Sequence, residues 1–503
     1  MDQARLPVIV GVGEVANTDD DRIVHPLELL AEAVDHAVAD SHAGRRLLDR
    51  VGLVGATPLS IYSEDRAADL VAARFGLAAA DTVETGYTGS GPLRLLAEAG
   101  RRIAEGRIEA ALLVGGVADA SVKRARLRGE DPPAPPTSVW SQGSRHQAPM
   151  PSGRRLPVEG PLPAEIRAGA QMPVQLFALI ESAMARPGES WAGHRARLGA
   201  LMAPFTATAA SRPEVAWFPR ARSGADLAEV RPDNRLVAEP YTKSMCSFPT
   251  VDLAAAVLVC SVAEADRLGV PVERRVHPWA TASVKDPMAP SRWAEMHRSP
   301  ALGLAARTVL DHTGVDPAAI AAFDLYSCFP AAVQLGLDAF GVALDDPRPF
   351  TLTGGLPYFG GPGASYGLHG LAAAARRARA DLGEVVALTG VGGMPNDFAA
   401  GLLAATPPER APAFDEPPAP TSTVGPPPEA PVEGVATVVA MTVVHGPDGD
   451  AQAAPLVAEL DDGARVGART DDPDLMSQLT DTGLVGRPVR LTASEAGLTY
   501  QPV

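Results

Sequence analysis

Three side chains capable of proton transfer crowd one glycine turn. Tyr358 precedes the run Gly360-Gly361-Pro362-Gly363, and Tyr366 and His369 follow it. If a helix starts just past the turn, Tyr366 and His369 share one of its faces, because residues three apart are neighbours on a helix. A phenol beside an imidazole suits general acid–base work near neutral pH. The same side chains also suit simple packing against the glycines, with His369 as a satisfied structural histidine. A second turn, Gly86-Tyr87-Thr88-Gly89-Ser90-Gly91, also feeds a helical pattern. Backbone N–H groups in such turns, with the helix N-termini behind them, can face an anion.

Nucleophiles are scarce. The three cysteines are Cys246, Cys260 and Cys328. Cys260 ends the apolar run AAAVLVC and Cys328 follows the strand Phe323 to Leu325, so both read as small core residues. Cys246 stands in a polar connector with no base beside it. Three scattered cysteines make neither a disulfide framework nor a CxxC-type metal site, and no cofactor is required. A reduced, cytoplasmic location fits that usage. Only Lys123, Lys243 and Lys285 are lysines, against 41 arginines, which leaves few candidates for Schiff-base chemistry. The excess of acidic residues, 60 against 44 basic for a formal charge of −16, excludes a globally basic nucleic-acid binder. The first residues lack the apolar core of a signal peptide, and no apolar run approaches the roughly 18 residues of a membrane span. We therefore expect a soluble cytoplasmic protein.

The elements that must position these residues are spread over 503 residues, enough for about three domains or lobes. Between Thr406 and Pro431 there are ten prolines in 26 residues, which predicts an extended, solvated linker. Beyond it, 432–503 has short β-rich runs broken by turn signals and predicts a small β-barrel or OB-like domain. From 433 onward it carries 11 acidic residues, four arginines and no lysine, and Tyr500 is its only aromatic besides His445. That balance argues against single-strand nucleic-acid binding and for protein docking or closure over the main body. A second proline-rich stretch, about 124–163, opens a segment 124–240 that we read as an inserted loop or helical subdomain. Helical patterning runs over Val174 to Met184 and Trp191 to Ala210, and a connector over 219–235.

The remainder, 1–123 plus 241–405, repeats itself. In each half a glycine turn leads to a helix, then to a buried strand that ends in paired glycines: Gly115-Gly116 in the first, Gly392-Gly393 in the second. A helix followed by a strand precedes each unit. Two such α/β halves predict paired sheets with helices between and around them.

This plan resembles the thiolase superfamily. The strings that carry the resemblance are TGSG followed by LLVGG, then PYTKSMCSFPTVDLAAAVLV, LYSCFP, GGLPYFGGPGASYGLHG and LTGVGGMPND. They cover about 400 residues in the family's order, and the extra C-terminal module is similar to that of the type 1 thiolase-like group. The resemblance implies a duplicated thiolase fold: two βαβαβαββ-type halves layered α/β/α/β/α. It also implies the acyltransferase class, CoA or acyl-CoA as ligand, lipid metabolism, and a homodimer or a protein partner through the C-terminal domain.

Carried over residue by residue, the family's chemistry is missing. Its acylated Cys matches Thr88, its acid/base Cys matches Thr389, the His of its Gly-His-Pro loop matches Gly361, and its oxyanion-hole Asn or His matches Tyr326. A threonine hydroxyl needs a positioned base where a thiolate does not. Ordinary thiolysis through an acyl-cysteine is therefore not expected. What the resemblance leaves is a binding architecture: Gly89, Ser90, Gly360, Gly361, Gly392 and Gly393 as loops facing a thioester carbonyl, and Arg145, His146, Arg154 and Arg155 as phosphate contacts or a solvated loop. Catalytic candidates are Tyr326, His369, Thr88 and Thr389. One alternative is a Tyr-dependent retro-aldol lyase on a β-hydroxyacyl-CoA, since Cys-less relatives of this kind also place Tyr before an x-x-Phe loop and work with an OB-fold partner. Another is a non-catalytic scaffold that recruits a partner through its C-terminal domain.

Overall fold

The strands Ala110–Ala118 and Asp252–Ser261 are buried along their whole length. Covered on both faces, they read as unbroken apolar runs rather than as alternation. They form the centre of the first of two five-stranded sheets. The computed structural model describes residues 2–59, 66–77, 79–133, 163–286, 289–421, 424–495 and 497–503. Arg145, His146, Arg154 and Arg155 lie outside these described residues.

The two sheets are built alike. In the first, Val51–Ala56 runs parallel to Ala110–Ala118, which pairs antiparallel with Asp252–Ser261, which pairs antiparallel with Pro7–Ala16. In the second, Ile320–Asp324 runs parallel to Val385–Val391, which pairs antiparallel with Asp397–Ala404, which pairs antiparallel with His277–Lys285. Asp81–Glu84 is the edge strand beside Val51–Ala56. Its counterpart in the second half is an irregular segment, held where Phe323 N donates to Pro349 O at 2.8 Å and Leu325 N to Phe350 O at 3.0 Å.

Between the sheets lie the helices Gly91–Ala104 and Tyr366–Ala380. Leu93, Leu96 and Ile103 of one and Leu368, Leu371 and Ala375 of the other share a core with Leu113 and Val257 of the first sheet and Leu388 and Leu403 of the second. The two helices touch closely at their starts, where a Cβ on Gly367 would sit 3.0 Å from Pro92 Cβ. Pro26–Asp40 packs outside the first sheet, and Pro300–Thr313 and Pro330–Ala339 outside the second. The result is the duplicated α/β/α/β/α arrangement expected from the repeat.

The inserted region contributes the helices Pro173–Ser182, Trp191–Ala210 and the short Gly224–Ala228. Buried Glu181 fastens it: its carboxylate meets His194 Nε2 at 2.9 Å, Tyr241 OH at 3.0 Å and Gln334 Nε2 at 2.7 Å.

Five C-terminal strands, Gly434–Met441, Ala451–Glu459, Arg465–Thr470, Pro488–Ser494 and Gly497–Pro502, close into a barrel because the first pairs with both the second and the fourth. The barrel is built into the body. Its sheet continues through Val444 to Ala238, and Trp191 of the insert enters its core with Nε1 donating to Leu479 O at 2.8 Å. The proline-rich run before it departs from the expectation of a solvated tether. Ala413–Asp415 adds an edge strand parallel to His277–Lys285, and Phe414 lies over Gly100, where a Cβ would fall 2.7 Å from Phe414 Cε1. That ring, the strand pairing and hydrogen bonds such as Trp279 Nε1 to Thr406 O at 2.8 Å and Arg410 to His312 O at 2.7 Å dock part of a segment whose composition predicted solvation.

Candidate functional site

Four loops meet at the ends of the inner strands and helices. The first glycine turn follows the edge strand Asp81–Glu84; in it Ser90 N donates to Thr88 Oγ1 at 3.3 Å and the two hydroxyls lie 3.1 Å apart. Val385–Val391 delivers Thr389 and Gly392 to the same place. Gly390 fits only because a Cβ there would fall 2.7 Å from Ser90 Cα, and a Cβ on Gly392 would come within 3.3 Å of Thr88 Oγ1. Ile320–Asp324 delivers Tyr326, whose N–H donates to Thr389 Oγ1 at 2.8 Å. Tyr326 lays its ring on Gly89, 2.5 Å from where a Cβ would place itself. Arg94 of the helix Gly91–Ala104 ties the first turn to the second sheet, reaching Asp397 Oδ1 at the start of Asp397–Ala404 at 2.7 Å.

The fourth loop holds Gly360, at φ +115°, and Gly363, at φ +54°, a backbone that favours glycine. Gly361 N donates to Phe248 O at 2.9 Å. A side chain at Gly361 would overlap Ser247 Oγ, so the place of the family's imidazole is closed by a neighbour.

Thr88, Thr389, Tyr326, Gly89, Ser90 and Gly392 therefore come together. The fourth loop touches the first turn at Gly363, where a Cβ would fall 2.8 Å from the Tyr87 hydroxyl, while Gly360 and Gly361 pack against Leu253, Trp217 and Ser247. His369 turns its Nδ1 elsewhere. Its Nδ1 meets Glu14 Oε1 at 2.8 Å and its ring packs edge-on to Phe359. Glu14 also holds Arg212 at 2.5 Å and Arg376. Burial alone would raise the Glu14 carboxyl, but Arg212, His369 and Arg376 outweigh it and keep it well below the usual carboxylate range. Tyr366 points elsewhere again: its hydroxyl bonds to Thr353 Oγ1, which donates to buried Asp324 at 3.0 Å, and its ring meets Tyr326 edge-on at 5.5 Å. A shared helix face did not give Tyr366 and His369 a shared partner.

Burial pushes the Tyr326 hydroxyl well above the usual phenol range, so it is an O–H donor and not a base. The thiols are silent too. Burial pushes Cys246 up to about 12 and raises Cys260 and Cys328 further. What these groups can do is donate hydrogen bonds to a carbonyl oxygen; no thiolate is at hand to attack one.

Beside the Gly360-Gly361 turn opens a cavity of about 790 Å³, within the range of small-molecule sites. Trp217, Phe218, Phe248, Pro357, Tyr358 and Cys246 give it apolar walls; Arg220, Arg222, Arg231 and Lys243 face it with two carboxylates, Asp226 and Asp233. Both carboxylates are engaged, Asp226 by Ser223 and Asp233 by Arg231. Arg222 donates to Ser244 Oγ and Asp226 O, while the exposed side chains of Arg220 and Lys243 have no partner among the described residues. Sequence reasoning missed this cluster, because Arg220, Arg222 and Arg231 are scattered through what read as a plain connector and Lys243 lies beyond it. It missed Glu14 as well; a lone carboxylate inside the apolar strand Pro7–Ala16 was the available signal.

Two similar halves, inner helices fed by glycine turns and loops converging over their N-termini define a thiolase fold. No protein-family model and no curated protein matches the chain. Among solved structures, it is similar to a monomeric SCP2-thiolase-like protein type 1 from Mycobacterium smegmatis, at 28% identity and TM-score 0.79 over 100% of both chains. It is also similar to the dimeric peroxisomal thiolase of Saccharomyces cerevisiae, at 16% identity and TM-score 0.56, with 80% of this chain and 98% of that one covered. An Ltp2–ChsH2(DUF35) aldolase matches at 19% identity and TM-score 0.57 with the same coverages, 80% and 98%. The chain belongs to the thiolase superfamily and is SCP2-thiolase-like.

Proposed function

We propose that the protein binds CoA or an acyl-CoA thioester in the cavity beside the Gly360-Gly361 turn, as a thiolase-like protein of lipid metabolism that does not use an acyl-cysteine. One observation carries the reading: in a chain of net charge −16, this cavity gathers four cations against two committed carboxylates, with Arg220 and Lys243 unpaired among the described residues. Cations of that kind suit phosphate groups, and the aromatic wall beyond them suits an uncharged arm. Titration calorimetry with CoA and several acyl-CoAs should give saturable binding, weakened roughly tenfold or more when Arg220 and Lys243 are both changed to Ala, and more so at low salt. Absence of heat and of thermal stabilisation at millimolar ligand overturns the proposal.

A second reading, a retro-aldol lyase on a β-hydroxyacyl thioester, is favoured by Tyr326, whose protonated hydroxyl stands over the first glycine turn. It could hydrogen-bond the thioester oxygen as the carbon–carbon bond breaks. The reading also needs a base for the β-hydroxyl, and Gly361, where the family carries His, supplies none. Turnover of such a thioester that disappears in Tyr326→Phe with binding intact supports the lyase; an unchanged rate excludes that role for Tyr326.

A further inference from the structure

The loops that converge over the inner helices differ sharply in what they show to solvent. Tyr326 and Thr389 are each 5% exposed and Ser90 is fully buried, whereas Tyr87, one residue before the half-buried Thr88, is 41% exposed. The convergence beneath is filled. A Cβ on Gly89 would overlap Val391 O, and one on Gly390 would fall 2.7 Å from Ser90 Cα, so backbone meets backbone there. Interiors packed this closely leave no space for a further side chain. Room for an acyl group beside Thr88 must then come from a side chain at the surface of the packing, and Tyr87 stands at that position. It spans two loops. Its backbone belongs to the first glycine turn, and the end of its ring lies on Gly363 of the fourth loop, where a Cβ would fall 2.8 Å from the hydroxyl and 3.3 Å from Cζ. Below it is Tyr326: after burial, Cys328 and Tyr87 are the neighbours that push the Tyr326 hydroxyl up. The fourth loop also carries Pro357 and Tyr358 of the cavity wall. One exposed ring thus closes the seam between the first turn and a loop that borders the cavity.

We propose that Tyr87 is a specificity-determining residue that limits the protein to short-chain acyl thioesters, its ring filling the seam over Thr88 that a longer chain would need. The proposal rests on the CoA reading given above and adds the acyl end, which that reading leaves open. An exposed ring can change rotamer, but only by giving up its contact with Gly363. Each methylene beyond the first few therefore works against the ring instead of burying itself. The role is steric, so the ring matters and the hydroxyl does not.

The test is titration calorimetry of the full chain and of Tyr87→Phe, Tyr87→Ala and Tyr87→Trp with CoA, acetyl-CoA, butyryl-CoA and octanoyl-CoA, with melting curves to show that each variant is folded. Wild type and Tyr87→Phe should bind octanoyl-CoA about tenfold more weakly than butyryl-CoA, the scale on which a pocket rejects added methylenes. Tyr87→Ala should remove that penalty and leave CoA affinity unchanged. Tyr87→Trp should deepen it, which keeps the test decisive where the Ala variant folds poorly. A wild type that binds the three acyl-CoAs alike, or a chain-length preference that is the same in all four proteins, overturns the role of Tyr87 while the CoA reading stands. If the wild type binds none of the ligands, the CoA reading itself fails and hydrogen exchange decides on the ring: faster exchange over 326–329 and 389–392 in Tyr87→Ala but not in Tyr87→Phe supports it as the cover of these loops, and equal exchange overturns it.

Discussion

Tyr326 and Gly89, from opposite halves of the duplicated core, are in such close contact that a Cβ on Gly89 would fall 2.5 Å from Tyr326 Cε2 and would also overlap Val391 O. The ring stands where the first glycine turn, the end of Val385–Val391 and the loop after Ile320–Asp324 meet. Gly89→Ala should therefore destabilise the protein by about 1–3 kcal/mol, as overpacking does. Adding Tyr326→Ala should not restore it, because the Val391 carbonyl remains in the way. Chemical denaturation of the single and double variants checks this; full recovery in the double variant would show that the ring alone sets the constraint.

Glu14 supports a pH prediction. Its carboxyl is held below the usual 4.5 in the folded chain by Arg212, His369 and Arg376, against the upward pull of burial. A depressed folded value gives stability that is present above the unfolded value and lost as pH falls toward the folded one. Glu14→Gln should cost about 3 kcal/mol at neutral pH by leaving the largely buried Arg212, together with the half-exposed Arg376, without their shared carboxylate. The difference between wild type and variant should shrink as pH drops below 4.5. Urea melts over that range measure it, and a pH-independent difference would remove Glu14 as the titrating group.

The docking of the barrel hangs on Arg465. Its guanidinium is buried and donates to Ser291 O at 3.1 Å, Trp293 O at 2.7 Å and Ala294 O at 3.0 Å, with Glu459 as its counter-charge at 2.9 Å. Arg465→Ala strands three carbonyls and one carboxylate, at a cost of about 3 kcal/mol. The barrel should then loosen from the body, and limited proteolysis should cut faster between 406 and 431. Cleavage and melting like the wild type would show that Trp191 and the strand at Val444 hold the barrel unaided.

Thiol chemistry should be absent from the folded protein. With burial raising all three thiols, Cys246 to about 12, essentially no thiolate exists at neutral pH. Iodoacetamide should leave the native chain unmodified by intact-mass measurement and label three sites after denaturation. Replacing Cys246 by Ala should leave CoA binding within a factor of about two, since its sulfur holds only a weak hydrogen bond. Rapid native labelling at Cys246 would contradict the burial argument.

The duplicated fold was legible in the sequence because each buried strand is an unbroken apolar run and each inner helix begins at a glycine turn, signals that are local and repeat in order. The loss of the family's thiol and imidazole groups was legible too, since Thr88, Thr389 and Gly361 stand at motif positions whatever their surroundings. Only the tertiary structure decided what the remaining polar groups face. Tyr366 and His369 lie one helical turn apart, yet one turns to Thr353 and the other to Glu14, 355 residues away in the chain. Arg220 and Lys243 acquire their meaning from a cavity that closes only when the insert folds against the Gly360-Gly361 turn. Patterning records which side chains leave water. It does not record which distant partner each one meets there, because that pairing is set by the packing of segments hundreds of residues apart.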